Sequence, residues 1–127
     1  MSREIKFRGR TVNGEWIYGS PYPDQVYRQG SFGVDIWLIR EEGEDHEVRE
    51  NSIGQWTGLE DKNRTDIYEG DVIECWDEGM AKPVSGVVVY SDNAFCIKSG
   101  DVYNSLWTNA EFFGVIGNVH EKPELTP

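Results

Sequence analysis

Cysteine, histidine and alanine are scarce in this chain of 127 residues, and each scarcity removes a class of structure or function. The two cysteines, Cys75 and Cys96, have no CxxC spacing. They fit a reducing compartment and read as free thiols in strands of the C-terminal half. A Cys75–Cys96 disulfide requires those strands to be neighbours, which spacing alone does not show. His46 and His120 are the only histidines, so a zinc site lacks ligands, and no metal or cofactor is expected. No apolar run approaches the about 18 residues of a membrane helix. The opening MSREIKFRGR is basic, but no apolar stretch follows it. It does not read as a secretory signal, and the expectation is a cytoplasmic protein without a membrane partner. Three alanines stand against five tryptophans, six tyrosines, five phenylalanines and 14 glycines, a balance that favours strands and turns over helices.

Positive charge is also short. Twelve Lys and Arg face 23 Asp and Glu, a net charge of −11. A general nucleic-acid binder needs cations to displace counterions from phosphates, so that class is disfavoured and a basic protein partner is favoured. The charge is uneven. Arg3, Lys6, Arg8 and Arg10 make the first ten residues basic, whereas Glu41, Glu42, Glu44, Asp45, Glu47 and Glu50 make the middle acidic. Recognisable catalytic patterns are missing as well: there is no GxSxG, P-loop or Rossmann fingerprint, and neither histidine sits beside a nucleophile in sequence. No catalytic residue is assigned, and the expectation is a protein that is not an enzyme.

What is present is a succession of short β signals. Glu4–Thr11 alternates Ile5 and Phe7 with Lys6 and Arg8, Asn13-Gly14 is a two-residue hairpin signal, and Glu15–Gly19 returns with Trp16 and Tyr18 on one face. Lys6, Arg8 and Arg10 share a face of the first strand. That face reads either as a solvated guard on an edge strand or as a contact for an anion or nucleic acid. Pro21 and Pro23 make Ser20–Asp24 a loop. Gln25–Arg28 and Gly33–Arg40 form a second strand pair turning at Gln29–Phe32, with Ile36–Ile39 covered on both faces. The acidic run Glu41–Glu47 reads as a solvated loop, with docking onto a basic protein or imitation of a phosphate backbone as the alternatives. Its order, EEGEDHE, lacks the EF-hand arrangement for calcium.

Ile53–Cys75 is the most specific stretch. Gly54 and Gly58 disfavour a helix, Asp61–Asn63 is turn chemistry, and Gly70 supplies a backbone angle that other residues resist. The reading is a covered loop feeding the first strand of a barrel, Val72–Trp76. Asp77–Pro83 follows as a polar loop, then strands over Val84–Tyr90 and Ala94–Lys98. Val102–Leu106 is a weaker strand or a helical turn, Trp107–Phe112 holds one helical turn, and Phe113–His120 closes the chain's last strand. Turns every eight to twelve residues suggest a barrel or a sandwich.

The segments Ser52–Leu59, Asp61-Lys62-Asn63 and Ile67–Val72 resemble the central signature of the YopX family, small proteins of bacteriophages and prophages. Arg3–Gly9, Gly14–Gly19 and Gly114–Glu121 are similar too, and the parts come in the family's order. Where the family has Asn-Gly in the middle turn, this chain has Asn63-Arg64. The resemblance implies a mainly β protein with an SH3-like barrel in its C-terminal half, and it carries no activity or catalytic residue with it. The expected architecture is an N-terminal β-hairpin and meander region over 1–60, packed on a small barrel over 61–122, with a tail at 123–127. Trp56, Leu59, Ile67 and Tyr68 are expected to pack between the two halves, while Trp56 and Tyr68 are also candidates for a ligand groove. The functional expectation is a phage accessory protein that binds another protein and self-associates by its strand edges; the alternative is a role in DNA transactions through the basic hairpin or through a DNA-binding protein.

Overall fold

Antiparallel pairing runs throughout the computed structural model, which describes residues 5–28, 30–76 and 78–122. The molecule is mainly β, and its contacts divide it into two compact units, Met1–Gln55 and Trp56–Pro127. Arg3, Gln29, Asp77 and the expected tail at 123–127 lie outside the described residues.

In the first unit, β1 (Phe7–Arg10) and β2 (Trp16–Tyr18) form the expected hairpin, with Gly9 opposite Ile17. The connection is longer than the two-residue turn expected from Asn13-Gly14. Thr11 N–H donates to Glu15 O and Gly14 N–H to Thr11 O, and of the loop residues only Gly14 has positive φ. A three-residue loop of this kind places the left-handed residue last, which is where the glycine falls. One face of the hairpin supplies Ile17 to a small core with Ile39 and Val48, against which Trp37 and Ile53 pack.

β3 (Pro21–Arg28), β4 (Ser31–Glu41) and β5 (Glu44–Val48) form a meander in the order β3-β4-β5. Two sequence expectations are corrected here. Ser20–Asp24 is not a loop, because β3 begins at Pro21. β3 is an edge strand, and an edge tolerates Pro21 and Pro23 where their missing N–H groups face away from the neighbour. The acidic run is not a solvated loop either. Glu42 and Gly43 both have positive φ and close a two-residue turn, after which Glu44–Val48 pairs back along β4. Repulsion along this strand is relieved across the sheet: Arg40 pairs with Asp45 and Arg28 with Glu47. Hydrogen bonding from Arg28 also holds the Glu47 carboxyl below its ordinary range.

β6 (Gly54–Glu60) runs across the division. Gly54 and Gln55 pair with β1, and Trp56 and Glu60 pair with β7 (Asp66–Tyr68). The central stretch is therefore a hairpin rather than a covered loop. Glycine excludes a helix here, but a strand accepts Gly58 as the positive-φ residue of the irregularity between Trp56 and Glu60.

The second unit contains a five-stranded sheet built from β8 (Asp71–Cys75), β9 (Val84–Ser91), β10 (Ala94–Ser99), β11 (Val102–Ser105) and β12 (Gly114–Asn118), in the order β11-β10-β9-β8-β12. A helical turn, α1 (Leu106–Asn109), and a 3-10 turn, Ala110–Phe112, precede β12. This meander, closed by a last strand beside its first, is consistent with an SH3-like barrel. Its core holds Ile67, Ile73, Val88, Ile97, Leu106 and Phe113, with Leu59 packed against them. Cys75 on β8 and Cys96 on β10 are free, half-buried thiols.

Candidate functional site

Arg8 and Arg10 alternate along β1, with Tyr18 opposite Arg8 and Trp16 opposite Arg10, whereas Lys6 precedes the strand. The face is not the solvated guard that alternation suggested. Arg8 is only 7 % exposed, with its guanidinium carbon 4.3 Å from the centre of the Trp16 ring. A planar, weakly hydrated guanidinium stacks well on an indole, so Trp16 covers the charge that an incoming anion would have to reach. Arg10 is half-buried, and its Nε donates to Gly14 O at 3.4 Å. Lys6 is half-buried as well.

Trp56 and Tyr68 also meet, as directly opposed residues of β6 and β7. Trp56 is half-buried, and its Nε1 donates to Leu59 O at 3.3 Å. Tyr68 is 4 % exposed, which leaves little of its ring for a ligand. The polar residues of this signature hold backbone. Asp61 accepts N–H groups from Asn63 and Thr65 on Oδ1 and from Val115 on Oδ2, all within 2.9 Å. Asp71 Oδ2 accepts the Tyr68 N–H at 2.8 Å. Asn118 Oδ1 accepts those of His120 and Glu121. A carboxylate already taking backbone donors is a poor candidate for acid–base work, and among the described residues no three His, Cys, Asp or Glu side chains gather as metal ligands.

In the first unit, a cleft of about 410 Å³ is lined by Val12, Arg28, Glu47, Val48 and Arg49, but Arg28 and Glu47 neutralise one another across it.

The best-formed surface for a partner lies where sequence reasoning placed nothing. β11 is an edge of the five-stranded sheet, and all four of its residues are exposed, Val102 by 58 % and Tyr103 by 50 %. Directly after it, Leu106 is fully buried and Trp107 is 77 % exposed. Phe112, at the end of the same segment, is exposed too. Leu106 and Ala110 anchor the turn from inside and thereby fix Trp107 on the outside. Helical spacing of Leu106 and Ala110 was the available signal, because residues four apart share a face and Trp107 falls off it.

The crystal structure of protein EF1440 from Enterococcus faecalis is similar in fold, with a TM-score of 0.57 and 23 % identity over 99 % of this chain and 100 % of that one. No curated protein matches the chain. The family described as YopX protein matches residues 6–126, nearly the full length, and the chain therefore belongs to the YopX family.

Proposed function

We propose that this YopX-family protein is a non-catalytic phage or prophage accessory protein of the host cytoplasm that works by binding another protein along β11. The supporting observation is the conjunction of an open, uncharged strand edge with the exposed indole of Trp107. An open edge offers main-chain hydrogen bonds to an added strand, and a projecting tryptophan is the side chain that most often concentrates binding energy. Direct nucleic-acid binding has less support, since the central cation of the hairpin face, Arg8, is buried beside Trp16.

Affinity purification from infected or lysogenic cells, run in parallel with wild type and Trp107→Ala, tests this reading. The expected outcome is a co-purifying protein that the variant loses by about tenfold or more while melting at the parental temperature. A partner retained in full by Trp107→Ala would count against it.

A further inference from the structure

We infer that the occupant of β11 is an extended segment with an uncharged middle and lysine or arginine at its ends. This rests on the protein-binding reading and adds the chemistry of the partner.

The other edges are defended. β3 carries Pro21 and Pro23, β5 carries Glu44, Asp45 and Glu47, and β2 and β7 are three residues long. At β12, the Val115 N–H is already taken by Asp61. Prolines, charges and shortness are the ordinary means of keeping an edge from pairing. β11, with the sequence Val-Tyr-Asn-Ser, has no proline and no charge.

The start of that edge is acidic, and a further acid follows in the segment beyond it. Asp101 stands immediately before Val102, and Glu111 lies in the 3-10 turn beyond Trp107; both are exposed. The unit from Trp56 to Pro127 carries 13 acidic residues against 5 basic ones, a net charge of −8. A strand laid along β11 thus meets an uncharged edge in the middle, the Asp101 carboxylate at one end and an acidic unit around it, which selects for positive charge on the segment's flanks. Trp107 points the same way. Its indole has no ring contact or side-chain hydrogen bond among the described residues, whereas the Tyr103 ring already has the Lys98 ammonium 5.8 Å from its centre. An open indole face at the end of a strand attracts a cationic side chain. The same charges oppose a second copy as the occupant, because two chains of net charge −11 would bring like-charged ends together.

The test uses the full chain and synthetic peptides with about six alternating valines and threonines, a strand's typical length, flanked by lysines in one and by glutamates in the other. A third peptide keeps the lysines and has proline in the middle. Binding is read from amide shifts of Val102–Ser105 and from tryptophan fluorescence. The lysine-flanked peptide should bind about tenfold or more tighter than the glutamate-flanked one, and should weaken as salt rises. Val102→Lys and Trp107→Ala should each weaken it by about tenfold with melting unchanged. The inference is overturned if the glutamate peptide binds equally, if the proline peptide binds as well as its parent, or if the shifts fall away from β11. If neither peptide binds and light scattering shows copies associating in a way that Val102→Lys abolishes, the occupant is a second copy; the inference fails and the protein-binding reading survives. If neither peptide binds and the chain stays monomeric, both are overturned.

Discussion

Arg64 occupies a left-handed backbone position, with φ of +64°, in the turn between β6 and β7. Asp61 supports it: its Oδ1 holds the Asn63 and Thr65 N–H groups on either side, so the turn keeps its shape without a glycine. The strain remains. A residue with a Cβ loses about 1–2 kcal/mol in this region, part of which glycine's greater freedom in the unfolded chain offsets. Arg64→Gly should therefore raise stability by about 0.5–1 kcal/mol in urea unfolding. A loss of stability would show that the Arg64 side chain contributes more than its backbone costs. Glu47 offers a second residue-scale test. Its carboxyl is held down by the hydrogen bond from Arg28, so its folded pKa lies below the unfolded value. A group depressed in this way stabilises above the ordinary glutamate range of about 4.3 and loses its contribution as the pH falls through the folded value. The stability gap between wild type and Glu47→Gln should be small at neutral pH, because both partners are nearly half exposed, and should close on acidification. A gap that widens with acid would contradict the pairing.

At the scale of elements, Gly86 shows how closely β9 and β10 approach. A Cβ built there would lie 2.5 Å from Ile97 Cγ2, 2.8 Å from Ser99 Oγ and 3.0 Å from Lys98 O. Ile97 is in the core and the Lys98 oxygen is backbone, so neither gives way easily. Gly86→Ala should cost about 1–3 kcal/mol, measured by thermal unfolding, as overpacked cores do. An unchanged melting temperature would mean that the sheet opens without penalty. β2 and β10 were legible in the sequence from apolar alternation, β1 from its alternation and the Asn13-Gly14 turn, and β9 from its continuous apolar run. The strands that escaped are those whose stability comes from across the sheet. β3 looks like a loop because its prolines are tolerable only at an edge, and a strand's neighbours are not visible locally. β5 looks like a charged loop because Arg28 and Arg40, which neutralise its acids, lie on other strands. β6 looks like a loop because Gly58 argues against a helix without arguing against a bulged strand.

The candidate surface was harder to read than the fold. Lys6, Arg8 and Arg10 stood out by charge, yet the partner that covers Arg8 lies across the hairpin in Trp16. Trp107 stood next to Leu106 in an apolar pair, and the four-residue spacing of Leu106 and Ala110, confined to a single turn, is all that tells which of the two faces inward. In the molecule as a whole, a chain of net charge −11 leaves the edge strand β11 uncharged and exposed along its length and sets an open tryptophan just beyond it, and on this conjunction the functional account rests. Hydrogen exchange of the full chain with the lysine-flanked peptide at saturation tests it most directly. The account predicts that amides of Val102–Ser105 slow on binding while those of the defended edges, β3 and β5, exchange at their free rates. Protection appearing on β3 or β5, with β11 unchanged, would contradict it.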